Sequence, residues 1–433
     1  MDERRPTLKQ QITAFIICAT VFMTVYNFAA WYTSTAEKVP SFVFDFEKYI
    51  PFLPWSIIPY MTSGIFFCFV FFMGKNDEQL KILTRRMLFI TVTAGLCFIV
   101  FPLQFSLVKP IANNFVLGYS FKFLKIFDSS FNQAPSLHIA YAFVFWTVFR
   151  NFRKTRLLIM LWLILLGIST LTVYQHHFID ILTAAVLAHF SFVIFPYRKD
   201  NFLYRNFQVA NMYFLLAWIQ ISAALLLDKY FDHLWLFLLW PALMSMIIGY
   251  HYQKNNVRFL KDKEGNISLL RKFFYTPYLM VYWIFWKFLR KNKVPLEIAP
   301  RIYISSRPGS KDQHYFDSGS LILVYDLSAE IEENSSIKNH TFYRSVPFLD
   351  IGTFDDAETK KLIAEITEKY KTLPADGKIL IHCTMGFTRS SVIGILIMKN
   401  ILSLPIEEAA EMMRSINKNA VIHPYVKDFL KKN

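Results

Sequence analysis

The chain has 433 residues, a formal net charge of +15 and 54% hydrophobic residues, 45 of them Phe. That is too apolar for an ordinary soluble protein, and the excess is concentrated in 11–250, whereas 294–433 reads as a soluble α/β domain. Most cations lie in short loops between apolar runs, where Lys and Arg set membrane orientation. The charge therefore argues against nucleic acid as a partner and for anionic lipid headgroups.

Apolar runs near 11–32, 52–73, 87–108, 135–149, 157–173, 178–196, 208–227 and 234–250 predict eight membrane helices, since a hydrocarbon core of roughly 30 Å takes about 17–25 residues. The charged start MDERRPTLKQ runs into the first without a small-residue cleavage site and reads as an uncleaved span. Loops rich in cations (Arg4, Arg5 and Lys9; Lys75, Lys81, Arg85 and Arg86; Arg150, Arg153, Lys154 and Arg156; Arg198, Lys199 and Arg205) alternate with poorer ones. This places the N-terminus in the cytoplasm and 109–134 and 174–177 outside. Cys18, Cys68 and Cys97 sit inside apolar runs, so no disulfide framework is implied.

Two polar strings interrupt the bundle. Ala134-Pro-Ser136-Leu-His138 opens the fourth run, and Ser169-Thr-Leu-Thr-Val-Tyr-Gln-His176-His177-Phe-Ile-Asp180 closes the fifth. A His four residues before an Asp at a helix start shares its face. There the carboxylate can orient the imidazole as nucleophile or base, with His138 as a second proton carrier. The bland alternative is a set of interfacial polar residues at helix ends. These strings resemble two motifs of the type-2 phosphatidic acid phosphatase superfamily, most nearly its inositol phosphorylceramide synthase branch, over about 80–200. The resemblance implies that His176 takes the phosphoryl group, Asp180 orients it and His138 protonates the leaving group. It also implies that Ser136 and Lys109 contact the substrate. Thr170 stands where that family has Arg, and only Lys109-Pro110 is left of its first motif.

Beyond His251, the segment 251–272 reads as a basic linker. Its cations Lys254, Arg258, Lys261 and Lys263 are expected to form a solvated face touching anionic lipid. The aromatic run 273–289 has positive charge on both sides and reads as an interfacial or re-entrant helix. That keeps the following domain cytosolic, where a catalytic thiolate stays reduced.

The strongest signal is Lys378-Ile-Leu-Ile-His382-Cys383-Thr-Met-Gly386-Phe-Thr-Arg389-Ser390-Ser391, with an apolar strand before it and the helix VIGILIMKN after it. Loop amides and a helix N-terminus converge on an anion and favour a thiolate. Arg389 can grip two phosphate oxygens, Gly386 permits a tight turn, and Ser390 or Ser391 can bond the thiolate. Residues 294–433 resemble the dual-specificity, cysteine-dependent phosphatases. The resemblance implies a phosphocysteine intermediate, a tuning role for His382, and an upstream Asp that protonates the leaving oxygen. Asp350 is the choice for that acid, with Asp355 and Asp356 as rivals. The variable loop positions Thr384, Met385, Phe387 and Thr388 are uncharged, which weighs against inositol polyphosphates but not against lipid monophosphates or phosphotyrosine.

The expected architecture is thus multi-domain, a polytopic all-α transmembrane bundle plus a C-terminal α/β cysteine-phosphatase domain. The divisions are 1–250, 251–293 and 294–433. The expected function is a bifunctional membrane phosphatase or phosphoryl transferase acting on lipid phosphates, needing neither metal nor cofactor, with phosphoproteins as further candidate substrates. The alternatives are a membrane-anchored protein phosphatase with an inactive lipid-binding bundle, and a phosphate-binding pseudophosphatase.

Overall fold

The computed structural model describes residues 4–110, 115–197, 204–309, 311–312, 322–340 and 342–433. The chain divides into two compact units, Met1–Tyr197 with Phe214–Ala242, and Arg198–Tyr213 with Leu243–Asn433.

The first unit is helical: α1 (Leu8–Ser34), α2 (Ile57–Val70), α3 (Asp77–Val100), α4 (Phe115–Phe127), α5 (Leu137–Phe149), α6 (Arg156–Thr172), α7 (Phe178–Ile194) and most of α8 (Arg205–Tyr230). Thr7 and Gln10 begin α1 as a capping box, the Thr7 N–H donating to Gln10 Oε1 at 2.7 Å and the Gln10 N–H to Thr7 Oγ1 at 3.3 Å. Asn76 caps α3 through the Gln79 N–H at 2.9 Å, and α3 stops at Val100, just before Pro102. The third expected span, 87–108, is therefore corrected to 77–100. Gly95 lets α1 and α3 touch backbone to side chain, because a Cβ there would collide with Val25. The core of this unit runs through Met87, Ile90, Ala94, Val144, Phe145 and Ala188, while α6 turns Leu157, Leu161, Ile164 and Ile168 outward.

Among the described residues, four helices are long and apolar enough to cross a membrane: Leu8–Ser34, Asp77–Val100, Arg205–Tyr230 and His233–Gln253. The other expected spans correspond to the shorter apolar helices Pro54–Val70, Leu137–Phe149, Arg156–Thr172 and Phe178–Ile194.

The second unit takes in the end of α9 (Leu239–Gln253), then α10 (Leu269–Phe274) and α11 (Thr276–Leu289). An α/β layer follows: β1 (Leu296–Ala299), β2 (Ile302–Ser306), β3 (Ile322–Ser328), α12 (Ser335–His340), β4 (Phe342–Phe348), α13 (Asp356–Lys371), β5 (Lys378–Cys383), α14 (Arg389–Ile401), α15 (Ile406–Ile416) and α16 (Pro424–Lys432). The sheet order is β1-β2-β5-β3-β4, with β2, β5, β3 and β4 parallel and β1 antiparallel to β2. β5 is central and its last five residues are all buried, as expected for a parallel strand covered on both faces. Ligands of such sheets collect beyond the strand C-termini, and here those ends carry Ser306, Cys383, Ser328 and Phe348.

In the basic segment after α9, Lys254 and Lys263 are exposed as expected from the charge, but Lys261 and Arg258 are engaged with the sheet. Lys261 is fully buried; its ammonium meets Asp326 Oδ2 at 2.7 Å and Ser328 O at 2.8 Å. Arg258 reaches Ser345 O at 3.2 Å. Burial alone would push the Asp326 carboxyl up, but Lys261, His382 and the Tyr343 hydroxyl hold it down at about 2. These cations pin the segment to β3 and β4 instead of facing lipid.

Candidate active site

Cys383 ends β5 and Arg389 begins α14, so the five residues between them form the whole turn from strand to helix. Gly386 adopts φ +79°, and a Cβ there would stand 2.9 Å from Ser306 N and 3.0 Å from Lys291 O. Only glycine fits without displacing backbone. The Asn292 and Asn417 side-chain amides donate to Gly386 O at 2.8 and 3.3 Å, and Asn417 also donates to Ser391 Oγ at 3.0 Å. The turn is therefore braced from outside while its inner side stays open.

The Gly386 N–H donates to Cys383 Sγ at 3.3 Å, and Ser390 Oγ lies 3.5 Å from the sulfur. The amide donates to the sulfur, and in the Ser390 contact either atom can be the donor. Arg389 is almost fully buried. Its Nη1 donates to Glu330 Oε1 and Oε2 at 3.0 and 2.9 Å and to Phe348 O at 2.9 Å. Its Nη2 donates to Thr384 Oγ1 at 3.2 Å and pairs with Asp350 Oδ1 at 3.2 Å. Burial opposes the charge on Arg389, but Glu330 and Asp350 outweigh it and hold the guanidinium firmly protonated. Burial pushes the Glu330 carboxyl up, Arg389 draws it back only in part, and Asp350 adds to the rise.

Asp350 follows β4, its side chain about a quarter exposed at 28%, so it reaches both Arg389 and solvent. With Cys383, Met385, Phe387, Arg389 and His423 it lines a cleft of about 130 Å³, room for little more than one phosphoryl group. The rival acids are engaged elsewhere: Asp355 caps α13 by accepting the Glu358 N–H at 2.9 Å, and Asp356 pairs with Lys432. His382 points away from the cleft, Nε2 3.0 Å from Glu333 Oε2 and Nδ1 3.8 Å from Asp326 Oδ1. Ser391 donates to Phe387 O at 2.6 Å and serves the turn rather than the sulfur.

In the helical unit, His176 Nδ1 lies 3.0 Å from Asp180 Oδ2, which also accepts the His177 N–H at 2.9 Å. Asp180 thus caps α7 and orients His176 with one oxygen, while its Oδ1 is buried without a hydrogen-bond partner among the described residues. The His138 ring stands 5.7 Å from that of His176 and stacks on Tyr60 at 4.3 Å. Ser136 donates its N–H to Asp180 O at 3.1 Å, and its buried hydroxyl also lacks a partner among the described residues. The Lys109 ammonium lies 5.3 Å from the Phe105 ring, which stacks on His177. Ile139, Leu171 and Phe178 help line an apolar groove of about 390 Å³, and neither His138 nor His176 is among its lining residues.

Several participants carry no sequence signal. Glu330 and Thr384 steer Arg389. Asp128 accepts hydrogen bonds from Tyr26 and Tyr60 and interacts electrostatically with His138 and His176. Glu47 Oε2 lies 2.8 Å from His177 Nδ1, while His177 Nε2 accepts the Ser106 N–H at 3.2 Å. That second bond places the imidazole proton of neutral His177 on Nδ1, facing Glu47.

No protein-family model and no curated protein matches the chain. About a third of it is similar to solved phosphatase structures. Tk-PTP in its active form is 18% identical over 32% of this chain and 97% of its own, with a TM-score of 0.28. Human DUSP28 is 18% identical over 32% and 93%, TM-score 0.28. A mouse putative dual specificity phosphatase complexed with zinc tungstate is 14% identical over 33% and 87%, TM-score 0.27. These values assign no activity.

Proposed function

We propose that the protein is a membrane-embedded phosphatase whose α/β unit hydrolyses phosphate monoesters through Cys383. The observation that supports this most is the meeting of Cys383 Sγ, the Gly386 N–H, Arg389 Nη2 and Asp350 around one small cleft. Glu330 occupies Nη1, so the Nε–Nη2 edge of Arg389 is the one turned to an anion. A phosphate arriving there competes with Asp350 for Nη2 and frees that carboxylate, which takes up a proton from solvent as it turns to the leaving oxygen. The Cys383 thiolate attacks phosphorus, forming an S–P bond as the ester P–O bond breaks, and Asp350 donates a proton to the departing oxygen. Asp350, now a carboxylate, takes a proton from water as that water attacks phosphorus. The S–P bond breaks, inorganic phosphate leaves, and the thiolate returns to its bonds with Gly386 and Ser390.

The helical unit supports a second activity, transfer or hydrolysis of a phosphate on a lipid. His176 held by Asp180 is the nucleophile and His138 the proton donor, and the apolar groove lined by Ile139, Leu171 and Phe178 suits an acyl chain. On this reading 1–250 is the bundle and the membrane lipids are its substrates. The alternative, an inactive anchor, is favoured by Thr170, which stands where the resembled family has Arg. Phosphate release by full-length protein, assayed on lipid phosphates and phosphopeptides with Cys383→Ser and His176→Ala in parallel, separates them. Two different substrates lost to the two variants supports both sites. If His176→Ala changes nothing on any lipid, the bundle is an anchor.

A further inference from the structure

α11 is built inside out. Its inward face carries tyrosines, Tyr278 and Tyr282 with Tyr275 just before them, all buried. Its outward face exposes Met280, Val281, Trp283, Ile284, Phe285 and Phe288, and α10 adds Leu269, Leu270 and Phe273 at 70–83% exposure. So large a contiguous apolar surface marks an interaction site. From 269 to 293 the chain has six cations and no acid, which suits an anionic lipid surface rather than a basic or neutral partner. Lys287, Lys291 and Lys293 are exposed at its C-terminal end. Arg271 and Lys272 on one side and Arg290, Lys291 and Lys293 on the other give this run positive charge at both ends, which suits a helix lying in the interface plane.

The inward face leads directly to the acid. The Tyr282 hydroxyl donates to Asp350 Oδ2 at 3.1 Å, and the Tyr252 hydroxyl of α9 donates to Asp350 O at 2.9 Å. The same turn is held by Arg205 Nε on Ile351 O at 2.8 Å and by Asn206 Oδ1 accepting the Thr353 N–H at 2.7 Å. Ile351 adopts φ +48°, a conformation a β-branched residue keeps only when its surroundings impose it. Every one of these clamps comes from a helical residue before 290, outside the α/β layer itself.

We propose that the outward face of α10–α11 seats in an anionic lipid surface, and that Tyr282 is the positioning residue through which this seating sets the Asp350 acid. The proposal rests on the reading of Cys383 and Asp350 as phosphatase residues. It makes proton donation, rather than phosphate binding, the step that responds to the bilayer.

The test uses full-length protein in nanodiscs of phosphatidylcholine alone or with phosphatidylserine. Two soluble aryl phosphates are compared, one with a strongly and one with a weakly acidic phenol. The expected result is faster turnover of the weakly acidic ester in the anionic discs. Tyr282→Phe, which keeps the ring, should lower kcat on that ester by about 10-fold, the scale of one lost hydrogen bond, with KM little changed and a smaller loss on the other ester. Replacing Trp283, Phe285 and Phe288 together by Ser should reduce the ratio of anionic to neutral rates. Equal rates in both discs, or an equal loss on both esters in Tyr282→Phe, would overturn the proposal. Cys383→Ser runs alongside: if it stays active, the phosphatase reading itself has failed.

Discussion

Glu330 takes both of its oxygens to Nη1 of Arg389, at 3.0 and 2.9 Å, which on the proposed reading leaves the Nε–Nη2 edge of the guanidinium for the substrate. Glu330→Gln keeps the shape but gives up the charge, leaving Arg389 freer to rotate. The expected outcome is a fall in kcat/KM of about 10-fold or more, carried mainly by KM. Arg389→Lys cannot reproduce the fork and should cost more than Glu330→Gln on the same substrate. Steady-state kinetics on one aryl phosphate measures both.

On the proposed mechanism Asp350 acts as proton donor and then acceptor. Asp350→Asn should lower kcat by about 10²–10⁴-fold on esters of weakly acidic alcohols, and by much less on esters whose leaving group departs without a proton. Asp355→Asn removes a helix cap and should cost about 1 kcal/mol of stability with little effect on either ester. A leaving-group series on the two variants distinguishes these roles.

Lys261 and Asp326 form a buried pair, so losing one partner is worse than losing both. Lys261→Met strands a carboxylate and should destabilise the α/β unit by about 3–5 kcal/mol, whereas Lys261→Met with Asp326→Asn should recover most of that. The pH dependence has a definite sign. The folded-state value of Asp326 is depressed, from 3.8 to about 2, so its stabilisation is present above 3.8 and lost as pH falls through about 2. Glu330 works oppositely, since its raised value makes the folded state hold its proton more tightly. Denaturant unfolding of wild type and the double variant between pH 5 and pH 2 should show the wild-type advantage shrinking toward the acid end.

In the bundle, Asp180 serves both α7 and His176. Asp180→Asn can still cap the helix but cannot stabilise a charged imidazole. It should retain the fold while lipid-phosphate turnover drops by about 10²-fold or more. His138→Ala should act on the same substrates, and Glu47→Gln, which touches His177 instead, should have a smaller effect. Lipid phosphate release together with thermal stability separates chemistry from folding.

Local patterns were readable in the sequence and long-range partners were not. KILIHC is apolar enough to be a central strand, and the spacing from Cys383 to Arg389 fits one turn between strand and helix. The i, i+4 spacing of His176 and Asp180 implies their contact because a helix start enforces it. Nothing in LSAEIEE distinguishes Glu330 from Glu332 or Glu333, since its role depends on where β3 ends beside β5. Asp128 likewise lies in a loop, and only tertiary packing brings Tyr26 and Tyr60 to it. Charge misled at Lys261, because a cation in a basic segment reads as solvated unless its buried partner, 65 residues further on, is known. The aromatic run at 273–289 suggests an interface, but not that its three tyrosines, Tyr275, Tyr278 and Tyr282, are buried and that one reaches Asp350.

The most direct test of the Cys383 chemistry is to quench the full-length protein with acid during turnover of a soluble aryl phosphate and locate the phosphoryl group by peptide mass spectrometry. The expected result is a phosphoryl group on the peptide carrying Cys383, accumulating in Asp350→Asn and absent from Cys383→Ser, which should release no phosphate from that substrate. Phosphate release by Cys383→Ser at the wild-type rate, or a phosphoryl group on another residue of the α/β unit, would contradict it.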